Sequence, residues 1–186
     1  MHELSERYYS LSGILGPLIA LVCIAAAIIL SPWFSWGNNA LSDLGHSVNS
    51  DVAPLFNFGL LLCGFLVIFY SLTSFKSHAK YTSYFLVTVG LTLQLVGTFD
   101  EVYGSLHFLV SVLFFVSLCF VSVSYIIEKR SVLAVAALII GLASWILYGL
   151  DVYQTGIAVP EAISSIPVVV WVVLSAVRLF LGESKS

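Results

Sequence analysis

Two histidines and several carboxylates gather where the polar gaps meet one end of the long apolar runs. They are the side chains able to move a proton or hold a cation. Asp43 and His46 lie in the gap 38–51, which reads NNALSDLGHSVNSD. Asp100 and Glu101 close the third apolar run, and the turn Tyr103-Gly104-Ser105 leads at once to His107. Asp100 and His107 are therefore neighbours by connectivity. Acid/base catalysis needs one imidazole and one carboxylate within reach of a substrate, which makes Asp43, His46, Asp100 and His107 the candidate catalytic set. Two imidazoles and two carboxylates would also suffice as ligands for zinc or iron, so the same four form the candidate metal set. They show no tight spacing of the H-E-x-x-H kind. Ser42 and His46 suggest a nucleophile and base, but four residues along one short helix do not fix the orientation that pair needs.

The gap itself predicts a short interfacial helix over Ala40–Leu44. Asn39 would cap it, and Gly45 would end it in a left-handed conformation. Ser42 and His46 would share one face, with Asp43 and His46 turned into a polar mouth. Candidate binding residues around that mouth are Ser42, Asn57, Gln94, Glu101, Asp151 and Glu161. Gln94, Gly97 and Glu101 recur at helical spacing. The bland role for Asn57 and Gln94 is an interhelical hydrogen bond. Pro160 and Glu161 suit a helix N-terminus electrostatically. Asp151 closes a helix, where the dipole disfavours an acid, and calls for a partner such as His46 or His107.

The elements that must position these residues follow from composition. Of 186 residues, 60% are hydrophobic and 9% charged, with mean hydropathy +1.05. Soluble domains carry about 25% charged residues. Runs of about 20 apolar residues are the mark of membrane-spanning helices, the form in which a chain satisfies its own backbone inside lipid. The sequence predicts one all-α domain over 1–186, a single bundle of six transmembrane helices at about 11–33, 55–75, 81–99, 106–127, 132–150 and 158–181. Cys23, Cys63 and Cys119 fall within these runs and read as small hydrophobes.

The charges are sorted. All seven Lys and Arg (Arg7, Lys76, Lys80, Lys129, Arg130, Arg178 and Lys185) fall at one end of the spans. Asp43, Asp51, Asp100, Glu101, Asp151 and Glu161 fall at the other, without a cation. The positive-inside rule then places both termini in the cytoplasm of a plasma-membrane protein. Trp33, Trp36, Tyr103, Tyr148 and Tyr153 would belt the outer interface.

The stretch Asn39-Ala40-Leu41-Ser42-Asp43-Leu44-Gly45, followed by Leu55-Phe56-Asn57, resembles the prokaryotic domain-of-unknown-function family 998. His107 opening the fourth span and Glu161 opening a Trp-containing sixth span fit the same pattern. The resemblance covers most of the chain and implies a six-span membrane protein without an assigned reaction. A looser similarity links the chain to membrane hydrolases of the alkaline-ceramidase and progestin-receptor type. These place Ser, Asp and three His around zinc; Ser42, Asp43, His46 and His107 are the matching types here, one histidine fewer.

These observations point to an acidic, His-containing cavity open to the outside that binds a lipid or small amphiphile. Hydrolysis of that ligand is the catalytic version of the reading, and the sequence leaves open whether the protein is an enzyme. A small-molecule or proton-coupled transporter is the alternative, although the middle of every span lacks an ionisable residue. A non-catalytic scaffold is the third option. Membrane lipids are the expected partners, and a homo-oligomer is compatible with the sequence. Nucleic acid is not a partner, because the few cations lie singly or in pairs at a membrane surface. No nucleotide-binding glycine motif is present.

Overall fold

The computed structural model describes residues 7–152 and 154–182. Tyr153 and Lys185, used above for the aromatic belt and the charge sorting, lie outside them. Among the described residues the chain is helical throughout, with no strand. Six long helices form: α1 (Leu11–Leu30), α2 (Ala53–Tyr70), α3 (Lys80–Thr98), α4 (Ser105–Lys129), α5 (Val132–Gly149) and α6 (Ala158–Leu181). A wider π turn, Ser71–Phe75, carries α2 on into Lys76–His78. Two short 3-10 helices cap one end, a loop helix at Leu41–Gly45 and a turn helix at Glu101–Tyr103.

Five stretches are long and apolar enough to cross a membrane: Arg7–Leu30, Ala53–His78, Ser105–Lys129, Val132–Gly149 and Ala158–Leu181. α3 is not among them, and Thr82, Ser83, Thr88, Thr92, Gln94 and Thr98 make it the more polar helix. Large apolar side chains such as Ile29, Phe108, Ile127 and Val132 stand on the outer surface. In water that would be costly; in lipid it is the favourable face. The chain is a multi-pass membrane protein.

Each helix packs on the next in the sequence, as expected for antiparallel neighbours joined by short connections; the first connection, from Leu30 to Ala53, is the long one. α6 returns against α1 and closes the ring. The larger core lies toward the Lys/Arg end, around Tyr70, Phe75, Leu86, Val121 and Trp171, all buried. A smaller core at the acidic end gathers Ala27, Leu44, Phe56 and Leu60. Leu44 comes from the loop helix and is fully buried, so its burial anchors that helix on the bundle.

Candidate functional site

The loop helix begins at Leu41 because its own Asp43 closes the first turn. Asp43 Oδ2 accepts from the Ala40 backbone N–H at 3.0 Å and from the Asn39 side-chain amide at 2.7 Å. Asn39 is thus not the cap foreseen from the sequence; its Oδ1 instead accepts from the Ser35 N–H. Asp43 supplies the carboxylate because three residues is one turn of a 3-10 helix. Nor does Gly45 adopt a left-handed conformation: among described glycines only Gly104 and Gly182 have positive φ. Gly45 is small because the helix lies close on α2. A Cβ there would stand 2.5 Å from Asn57 Oδ1, and Asn57 donates to the Gly45 carbonyl at 2.8 Å.

A second anchor comes from the chain entering α6. Gly156 N–H donates to Trp36 O and Ala158 N–H to Asn39 O, both at 2.9 Å. This pairing brings the first turn of α6 beside the loop helix. Glu161 Oε2 then accepts from the Leu41 N–H at 2.6 Å. Glu161 therefore caps the neighbouring helix, with the N-terminal charge preference foreseen for its own.

On the other flank, Ser42 Oγ donates to Glu101 Oε1 at 2.7 Å. The same Oε1 lies 3.9 Å from His107 Nε2. His107 Nδ1 stands 2.7 Å from the Phe99 carbonyl, and Nε2 stands 3.3 Å from Ser111 Oγ. Burial pushes the Glu101 carboxyl above the usual carboxylate range, and Asp43, which shares a hydrogen bond with it and repels its charge, pushes the same way; Ser42 and His107 pull against this. Three carboxylates, two hydroxyls and one imidazole thus converge without a Lys or Arg.

All of them but Asp43 line empty space. A polar mouth of about 350 Å³ is lined by Ser42, Glu101, His107, Ser111, Trp145 and Glu161, among others. Beneath it an apolar chamber of about 130 Å³ runs between Ala20, Ile24, Phe56, Leu60, Leu93 and Phe114. Ser42, Ser111, Phe115 and Glu161 border both.

Of the residues singled out from the sequence, Ser42, Asp43, Glu101, His107 and Glu161 come together. The others do not. His46 leaves the mouth: its Nδ1 accepts from the Val48 and Asn49 N–H groups, and its Nε2 lies 3.0 Å from the Asn49 amide. Ser42 and His46 are split because a 3-10 helix turns every three residues, so four apart is not one face. Asp100 is spent on the turn helix, its Oδ1 accepting from Val102 N–H at 2.9 Å. His107 bonds the carbonyl one residue earlier, at Phe99. Asp151 is exposed, with φ +53. It ends α5 in the left-handed conformation that Asp tolerates, and it contacts neither His46 nor His107 in the way expected. Gln94 donates to Leu61 O at 3.3 Å, the interhelical role foreseen for it. Among the described residues no group of three or more His, Cys, Asp or Glu is placed to hold a metal ion, so the zinc or iron set His46, His107, Asp43 and Asp100 is not assembled. Ser111 was missed. Its one signal was the four-residue interval from His107 within a single helix.

A family model described as "Protein of unknown function (DUF998)" matches residues 14–178. The chain belongs to the DUF998 family. No curated protein and no solved structure matches the chain, so the comparisons give nothing for the hydrolase similarity. The DUF998 match includes every residue of the mouth, from Ala40 to Glu161.

Proposed function

We propose that this DUF998 protein is a six-span plasma-membrane protein, both termini cytoplasmic, that binds a lipid or small amphiphile from the outer side. The observation that carries the reading is the shared wall of two unlike compartments. The mouth offers carboxylates, hydroxyls and an imidazole among apolar side chains, and the chamber beneath is mainly apolar, with Ser165 the one hydroxyl beyond the shared rim. Ligand sites combine an apolar lining with a few polar groups that set orientation. A molecule with a polar head and an apolar tail meets both.

The charge narrows the head. Glu101 and Glu161 line the mouth and no Lys or Arg does, so nothing there would pair with a phosphate or carboxylate, and the head is neutral or cationic and donates hydrogen bonds. Hydrolysis of the ligand is the chemical extension of the reading, with His107 as the imidazole within the mouth.

The test is native mass spectrometry of the purified full chain offered 1-O-hexadecylglycerol, a neutral amphiphile that cannot be hydrolysed. Wild type should carry one equivalent. Ala20→Phe, which fills the chamber, should carry none while keeping its melting temperature. Equal loading of both proteins would overturn the reading.

A further inference from the structure

Serines inside these helices give their hydroxyls back to the helix. Ser71, Ser122 and Ser165 donate to carbonyls four residues earlier, and Ser117 and Ser175 to carbonyls three earlier. That is the default for Ser in an apolar helix, because the hydroxyl otherwise lacks a partner. Ser111 differs. Its Oγ lies 3.3 Å from His107 Nε2.

The imidazole it meets has a defined tautomer. A carbonyl oxygen can only accept, so the 2.7 Å contact between Nδ1 and Phe99 O requires the proton on Nδ1. In the neutral ring Nε2 then carries the lone pair, and the Ser111 hydroxyl donates to it. A hydroxyl, a base and a group that orients the base stand in that order, which is the arrangement that activates a nucleophile. Here a backbone carbonyl does the orienting. Glu101 Oε1, 3.9 Å from the same Nε2, stabilises the imidazolium formed when the ring takes a proton. Ser42 lacks this arrangement, since its hydroxyl is given to Glu101.

Location selects the substrate bond. Ser111 borders both the polar mouth and the apolar chamber, the level at which the head and tail of an amphiphile join. In an acylated amphiphile that junction is the carbonyl.

We propose that Ser111 is the nucleophile, and His107 the base, of an acyl-transfer site for a carboxylic ester or amide whose acyl chain lies in the chamber. The proposal rests on the amphiphile-binding reading. Ser111 Oγ bonds to the carbonyl carbon as its proton passes to His107 Nε2. The tetrahedral adduct then breaks its C–O or C–N bond, and the leaving alcohol or amine takes that proton. Water, deprotonated by Nε2, attacks the acyl-Ser111 ester. This releases a carboxylic acid and returns the proton to Ser111.

The test treats the purified full chain with a neutral long-chain alkyl fluorophosphonate, which a serine nucleophile attacks with loss of fluoride. Intact mass and peptide mapping follow the product, and 1-O-hexadecylglycerol binding is measured on the same samples. One adduct on Ser111 is expected, absent in Ser111→Ala. Its rate should fall on the order of 100-fold in His107→Gln, the scale of losing a general base. The ether should still bind Ser111→Ala. An unlabelled Ser111 in wild type that binds the ether would overturn the nucleophile and leave the binding reading intact. Label on another serine, or an unchanged rate in His107→Gln, would also overturn it. Loss of ether binding by wild type would remove both.

Discussion

The two ends of the bundle use the same residue types for different ends. At the Lys/Arg end Glu128 reaches across to cap α3, accepting from Thr82 N at 2.9 Å, Thr82 Oγ1 at 2.7 Å and Tyr81 N at 3.2 Å. At the acidic end Glu161 likewise caps a neighbouring helix, but with one backbone donor, at Leu41. The histidines diverge in the same way. His78 sits against Phe75 and Tyr125, whose ring stacks on Trp171 at 4.5 Å. His107 faces a hollow. The Glu128 carboxylate at the first end is consumed by capping and the rings by packing, which leaves His78 Nδ1 and Trp171 Nε1 buried without a hydrogen-bond partner; the carboxylates and imidazole at the second end are held around space. A membrane protein keeps polar groups within its bundle at a cost, so polar side chains around a void mark the end where a ligand is to be sought.

That contrast can be broken, beginning with the largest effect. Trp171→Ala should destabilise the protein by about 4 kcal/mol, as large aromatic deletions in a packed core do. It should leave binding of 1-O-hexadecylglycerol unchanged at temperatures where the protein is folded; thermal unfolding and native mass spectrometry on one sample check both halves. Gly156→Val should cost about 2 kcal/mol, because its side chain would collide with the backbone of Asn39. This variant should lose binding as well, since the same contact sets Glu161 beside the loop helix. Glu161→Ala leaves the Leu41 N–H without its partner, costing about 2 kcal/mol, and should free the loop helix, read as faster hydrogen exchange at Leu41. Asn57→Ala should cost about 1 kcal/mol, the scale of a neutral hydrogen bond, and raise exchange in the same loop with less effect on binding.

The smallest effect is a pH dependence. Burial and Asp43 hold the Glu101 carboxyl above its ordinary range, so the folded protein keeps a proton that the unfolded chain has released. This contribution to stability is complete below the ordinary carboxylate range and is lost as pH rises through the folded-state value. Glu101→Gln should flatten that part of the stability profile. A variant with the wild-type slope would mean that Asp43 and Glu101 do not share the proton.

Much of the fold was legible in the chain. Apolar runs set the helices to within a few residues at most ends, and short gaps set the order of packing. The polar stretch 38–51 stood out as the organising loop for the same reason. The site was legible only in part. Ser42, Asp43, Glu101, His107 and Glu161 could be chosen because ionisable and hydroxyl groups beside apolar runs are costly unless used. Which of them meet could not be read. His46 and Asp100 look equivalent to Asp43 and His107 along the chain, yet each is taken up by hydrogen bonds to its own turn. Asp151 looked in need of a partner and instead answers a backbone requirement at the end of α5. Ser111 resembles every other helical serine until the tautomer of His107 is known.

Sequence alone therefore determined that the chain is helical and membrane-embedded, and that six of its ten acids gather apart from every Lys and Arg. Hydropathy and charge act on each segment separately, and neighbours are not needed to express them. Tertiary structure alone decided that Glu161 caps the loop helix from 120 residues away and that a polar mouth opens onto an apolar chamber. A hydrogen bond forms over about 3 Å, and a cavity exists only between elements. Both depend on where α6 closes against the loop, which no local pattern encodes.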